Sequence, residues 1–220
     1  MHPCRARQCS GRIDPQRQNL PPPAHPSPCA RSAFSRSMSD TNRKRLFQLI
    51  SERAFVRGEV TLASGAKSDF YIDGRMVAVA PESAYLIGEV LFEELQDLEF
   101  DAVGGLAVGA VPLTTALVIS CHHHDRPVEG FWVRAQAKEH GMQKQIEGRL
   151  PENASVVILE DVVTSGGSSL KAIEAVEAAG ARVVAIVALV DREAGAREMF
   201  AERGYHYQPL FTKQDFFVNA

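Results

Sequence analysis

The chain has 220 residues, 45% of them apolar, with 24 Lys and Arg against 27 Asp and Glu for a net charge of −3. That composition can fill one sizeable core and argues against a general nucleic-acid binder. It also contains no run of about 18 apolar residues that would span a membrane. Of its cysteines, Cys4, Cys9 and Cys29 lie near the start and only Cys121 beyond, which is neither a disulfide framework nor a metal spacing and suits a reducing cytosol.

Residues 1–37 are a different kind of polymer from the rest. Arg5, Arg7, Arg12, Arg17, Arg31 and Arg36 face a single acid, Asp14, and Pro21, Pro22, Pro23, Pro26 and Pro28 rule out a continuous helix. With few large apolar side chains to offset the entropy of ordering, the stretch is expected to be disordered. Its Arg- and Ser-rich, acid-poor character is that of a transit peptide, but the prolines spoil the amphipathic helix such a peptide uses. The triprolyl run also has the form of a polyproline ligand. The plainer reading takes Met38 as the true start and residues 1–37 as an extension or dispensable tail.

From Ser39 the composition is that of a folded domain, expected to run over 38–220. Leu46, Phe47, Leu49 and Ile50 make an apolar stripe on a helix capped by Ser39, Asp40 or Thr41. Residues 58–75 alternate on either side of a Ser-Gly turn and predict a hairpin, with Lys67 at its tip and Phe70, Tyr71 and Arg75 on its second strand. Pro81 opens a helix to about residue 98 with Leu86, Ile87, Val90, Leu91 and Leu95 inward. A short strand at 101–105 enters the small-residue loop 106–112, whose backbone amides can approach an anion closely. A helix to Cys121 follows, and then His122, His123 and His124. Consecutive histidines cannot converge on one metal from a regular helix, so they read as a solvated helix end.

After a strand at 128–133, residues 134–148 are polar and rich in cations, with no apolar helix face. They read as a mobile surface loop or as a lid that brings Arg134, Lys138 and His140 onto a polyanion. Val156, Val157, Ile158 and Leu159 then form an apolar run, expected to be a strand buried on both faces of a parallel sheet. Glu160 and Asp161 stand at its carboxyl end, where open α/β sheets bind ligands. They are followed by Val162, Val163, Thr164, Ser165, Gly166, Gly167, Ser168 and Ser169. Leu170, Ile173, Val176 and Ala179 have helical spacing and close at Gly180.

Glycines that turn tightly, hydroxyl donors and the positive end of a helix make an anion cradle suited to a phosphate monoester. Carboxylates cannot hold phosphate, but they accept hydrogen bonds from sugar hydroxyls or help hold magnesium. A sugar phosphate fits both halves. A last apolar strand at 182–190 brings Asp191, Arg192 and Glu193 to the same edge, before a helix at 194–203 and a strand near 207–211. Alternating strands and helices with short connections give an α/β domain with a mainly parallel sheet flanked by helices.

The stretch from Glu160 to Ser168 resembles the 5-phosphoribosyl-1-pyrophosphate (PRPP) motif of the type I phosphoribosyltransferases. The run Arg134, Lys138, His140, Gly141, followed by Ile146, Glu147 and Gly148, resembles the lid of the orotate phosphoribosyltransferases, and the hairpin's Ser64, Gly65, Ser68 and Tyr71 resemble their N-terminal hood. The resemblance covers residue 38 to about 216. It implies transfer of the phosphoribosyl group from PRPP to orotate, giving orotidine 5′-phosphate and pyrophosphate in pyrimidine (UMP) biosynthesis, with Mg²⁺, in a cytoplasmic homodimer whose lid is shared between subunits.

Carried over residue by residue, Lys138, His140, Glu160 and Asp161 would be catalytic. Arg134, Lys138, His140 and Glu160, Asp161, Val162, Val163, Thr164, Ser165, Gly166, Gly167 and Ser168 would bind PRPP. Lys67, Phe70, Tyr71, Thr164 and Arg192 would bind orotate. No residue is assigned as a direct metal ligand; Mg²⁺ would ride mainly on PRPP and touch Glu160 or Asp161 through water. Nucleic acid and membrane are not expected partners. Two departures stand out: Ala135 and Gly109 occupy positions where relatives often carry lysine, which leaves pyrophosphate to backbone N–H groups, to Lys144, or to a second subunit's side chains. Another base phosphoribosyltransferase, or a non-catalytic PRPP-sensing regulator of this fold, are the alternatives.

Overall fold

The computed structural model describes residues 28–61, 67–136 and 145–218. In chain order the first half holds α1 (Pro28–Arg53), β1 (Phe55–Thr61), β2 (Lys67–Ile72), α2 (Arg75–Ala78), α3 (Pro81–Glu94), β3 (Ala102–Gly104) and α4 (Ala110–His123). The second half holds β4 (Glu129–Val133), β5 (Ile146–Gly148), β6 (Ser155–Val163), α5 (Gly167–Ala178), β7 (Arg182–Asp191), α6 (Ala196–Glu202), β8 (Tyr207–Thr212) and α7 (Lys213–Val218). The chain divides into Met1–Arg36 and Ser37–Ala220, and the sheet and candidate site belong to the second unit.

Six strands form the main sheet in the order β5-β4-β3-β6-β7-β8, and β1 and β2 form a separate antiparallel pair. All neighbours in the main sheet are parallel except the edge pair β4 and β5. From β3 the chain moves outward to β4, and from β6 it moves outward the other way to β7 and β8. The pair β3 and β6 is therefore the topological switch point, and a crevice opens outside its carboxyl ends.

The pleat of β6 explains why its sequence has no polar interruption. Val157 and Leu159 enter a core with Leu46, Ile50, Leu91 and Leu113 from α1, α3 and α4. Val156 and Ile158 enter a second core with Ile173, Val176 and Phe200 from α5 and α6. Successive side chains of a strand point to opposite faces, so burial on both requires an apolar residue at every position. Each such side chain, fully buried, contributes roughly 1.5–3 kcal/mol.

The α/β class, the parallel sheet and the hood hairpin match expectation; several boundaries do not. Helix α1 starts at Pro28, well before the expected cap at Ser39, Asp40 or Thr41; residues 1–27 lie outside the described residues. Helix α3 ends at Glu94 rather than near residue 98 because the chain turns there around Arg126, whose guanidinium donates to the carbonyls of Leu95, Gln96 and Leu98. Arg75 does not extend the second hairpin strand but opens α2. His122, His123 and His124 are exposed as expected, and His124 also stacks on Phe92 at 4.1 Å and bonds Glu89 at 3.1 Å. Ile146, Glu147 and Gly148 form an edge strand because Phe131, Trp132 and Val133 supply a ladder for them.

Candidate functional site

Strand β6 runs further than its apolar core, through Glu160, Asp161 and Val162 to Val163, because β7 keeps pairing with it as far as Asp191. The carboxylates thus belong to the strand, and the pleat sends them to opposite faces. Glu160 turns toward α5 and is only 7% exposed; it accepts a hydrogen bond from Ser169 Oγ at 3.1 Å. Burial first, and the neighbouring Asp161 second, push its carboxyl up to about 7 against the pull of Ser169. Asp161 is also pushed upward by burial, partly offset by backbone N–H groups and the nearby Arg75.

Asp161 is wedged between two glycines from distant parts of the chain. A Cβ at Gly74 would lie 2.9 Å from Asp161 Cβ and 3.1 Å from Oδ2, and one at Gly109 would lie 2.4 Å from Oδ1 and 3.2 Å from Oδ2. The chain before α2 and the loop before α4 therefore close on the same carboxylate, and a side chain at either position would displace it.

Beyond Val163 the turn at Thr164 and Ser165 passes through Gly166, at φ +81°, into α5. A Cβ there would also lie 2.3 Å from Met199 Cε. No side chain caps α5, so its first N–H groups are left for another acceptor. Thr164, Ser165, Gly167 and Ser168 are exposed around a cavity of about 230 Å³ that Glu160, Val162, Val163, Gly166 and Ser169 also line. Ser169 departs from expectation. It lines the cavity but is fully buried, and its hydroxyl donates to Glu160, steadying that carboxylate.

At the end of β7, Arg192 meets the hood. Its guanidinium lies 4.6 Å over the Phe70 ring and Nη2 donates to the Phe70 carbonyl at 3.4 Å. The Phe70 ring is itself 3% exposed, with Phe55, Phe217 and Lys213 around it. Phe70 is thus a support under Arg192 and not an open stacking face; α7, absent from the sequence reading, supplies the cover. Tyr71 is half-buried and lies within electrostatic reach of both Arg192 and Arg75. Lys67 is exposed at the start of β2 and pairs with Glu59 across the hairpin.

On the other side of the crevice Arg134 follows β4 and pairs with Glu147 at 3.2 Å. Lys138, His140 and Lys144 lie outside the described residues. Sequence reasoning missed Asp73, Gly74 and Arg75 as part of the site. Asp73 accepts from Arg75 Nε at 2.8 Å and Nη2 at 2.9 Å, beside Asp161. Their short Asp-Gly-Arg run at the end of the hairpin's second strand is the available signal.

A family model described as a phosphoribosyl transferase domain matches residues 76–202. An orotate phosphoribosyltransferase of Rhodopseudomonas palustris is 44% identical over 180 residues, covering 80% of this chain and 96% of the relative. One from Corynebacterium glutamicum is 42% identical over 185 residues, covering 84% and 99%. Among solved structures, Mycobacterium tuberculosis orotate phosphoribosyltransferase in complex with PRPP superposes with a TM-score of 0.68 at 33% identity, covering 80% of this chain and 99% of that one. Neighbours at this identity and coverage, on a sheet whose switch point carries the carboxylates and the glycine turn, mean that the chain belongs to the orotate phosphoribosyltransferase family.

Proposed function

We propose that this protein transfers the 5-phosphoribosyl group of PRPP to orotate, releasing pyrophosphate and forming orotidine 5′-phosphate on the route to UMP. The observation that carries the reading is the convergence at adjacent strand ends of the Glu160/Asp161 pair, the uncapped turn at 164–168 and an arginine tied to the hood. The turn would take the 5′-phosphate through its N–H and hydroxyl donors. Binding energy from that remote group then fixes the reacting carbon. Glu160 and Asp161 would accept the ribose hydroxyls and favour the positive charge that develops on the sugar as pyrophosphate departs. Arg192, held on Phe70, suits the orotate carboxylate, which a guanidinium fork grips with paired bonds; Tyr71, Thr164 and Lys67 complete the base side.

Arg134, Lys138 and His140 are assigned to the departing pyrophosphate on the strength of their motif, and fixed cations there are often a large catalytic term. Among the described residues no cluster of three or more His, Cys, Asp or Glu side chains could hold a metal ion. Mg²⁺ would be brought in mainly on PRPP, with water between it and Glu160 or Asp161. Such an ion would supply neutralising charge for pyrophosphate. A homodimer with a shared lid and a cytoplasmic location complete the proposal; no described helix is long and apolar enough to cross a membrane.

The test is loss of orotate absorbance on adding PRPP, with and without Mg²⁺, beside uracil, adenine and hypoxanthine. Turnover of another base in preference to orotate would move the chain to a different specificity. Binding of PRPP with no turnover of any base would make it a sensor.

A further inference from the structure

PRPP presents its pyrophosphate to a site whose innermost groups are acids, so binding needs nearby positive charge. The loop at 106–112 that faces Asp161 contains no cation. Of the described cations at the crevice, Arg134 pairs with Glu147, Arg192 lies on Phe70, and Lys67 pairs with Glu59.

Arg75 is ion-paired too, to Asp73, but it directly follows Gly74, which packs on Asp161. Its side chain is 61% exposed, while Asp73 holds Nε and Nη2 in a two-bond fork. The preceding residue, Gly74, packs on the same Asp161 oxygen that Gly109 packs on: a Cβ at either would lie 3.1 Å or 3.2 Å from Oδ2. Arg75 therefore stands across one carboxylate from the loop, and its charge is felt by both Asp161 and Tyr71.

We infer that Arg75, oriented by Asp73, is a pyrophosphate-binding residue of this site, supplying the cation that the loop at 106–112 lacks. The inference rests on the PRPP reading above. A guanidinium already steered by one carboxylate loses little freedom when it closes on a second anion. The rival account is a purely structural ion pair. Exposed pairs of that kind contribute little to stability, and such an account predicts no effect on any ligand.

The experiment compares wild type, Arg75→Gln, Arg75→Lys and Asp73→Asn in steady-state kinetics and in calorimetric titration with magnesium pyrophosphate. Arg75→Gln should raise the KM for PRPP and the Kd for pyrophosphate by about 10-fold or more, as loss of a charged hydrogen bond implies. The KM for orotate should stay within about twofold and the Tm should not change. Arg75→Lys should recover part of the affinity through its charge, and Asp73→Asn should fall between wild type and Arg75→Gln. Unchanged pyrophosphate affinity in Arg75→Gln, or a rise confined to the orotate KM, overturns the inference. An inactive wild type would instead overturn the enzymatic reading, while the pyrophosphate titration still decides the role of Arg75.

Discussion

Replacing Glu160 with Gln should make the ligand-free protein more stable while disabling it. Glu160 is displaced from an ordinary 4.5 to about 7 because it is buried beside Asp161. The folded state therefore holds this proton more tightly than the unfolded chain does. Between pH of about 4.5 and about 7 the folded protein carries the extra proton, and the stability contributed by this group falls as pH rises through that window. Above it, keeping the carboxylate ionised costs roughly 3 kcal/mol. Gln fills the same space, keeps an acceptor for Ser169 Oγ and has no charge to bury, although its NH₂ group needs acceptors of its own. We expect a net gain of roughly 1–3 kcal/mol at pH 8, each kcal/mol raising Tm by about 2–4 °C.

The assay is thermal unfolding of ligand-free wild type and variant at pH 5 and pH 8, with turnover measured at pH 8. The gain should be present at pH 8 and nearly absent at pH 5, where wild-type Glu160 is already protonated. An equal gain at both values, or none at pH 8, would refute the assignment of an uncompensated buried charge.

Ser169→Ala removes the hydrogen bond that holds Glu160 down; the acidic limb of kcat/KM against pH should move to higher pH, and an unmoved limb would detach Ser169 from Glu160. Arg192→Ala should raise the KM for orotate by about 10-fold or more with little change for PRPP, as loss of a charged fork implies; equal effects on both substrates would contradict its assignment. Lys138→Ala should lower kcat by about 10²-fold or more while Tm holds, and near-normal turnover would take the lid out of the chemistry. Deleting residues 1–37 should leave kcat and Tm unchanged, since Leu46, Leu49 and Ile50, which α1 buries fully in the core, all lie beyond the cut; a large loss of either would show that the segment supports the fold.

The sheet and the cradle were legible because their physics is local. A strand buried on both faces must be apolar at every position, and the left-handed turn into α5 needs a glycine at Gly166. What could not be read was set by partners distant in sequence. Ser168 and Ser169 look equivalent in a list of hydroxyls, yet one residue of helix turns the side chain by about 100°; the first is exposed at the cavity, and the second is buried at its floor with its hydroxyl on Glu160. Phe70 reads as a stacking face until α7 covers it. The edge strand at Ile146–Gly148 has too little apolar content to announce itself and forms because β4 offers it a ladder. Asp73 and Arg75 look like hairpin residues until Gly74 is found against Asp161.

The energetics of the site follow from that packing. Both acids are driven upward mainly by burial, so the crevice holds carboxylates that the fold itself disfavours in their charged form. Their surroundings cannot relax easily: Glu160 is fixed from below by Ser169, and Asp161 is fenced by backbone at Gly74 and Gly109 where a flexible side chain would have let it swing away. A ligand that donates hydroxyls to these oxygens and develops positive charge beside them relieves the penalty, and does so most fully when that charge is greatest. Interactions stronger in the transition state than in the ground state are the ones that accelerate a reaction. On this account the instability of the ligand-free carboxylates and the catalytic role proposed for them have one origin, so variants that ease the first should weaken the second.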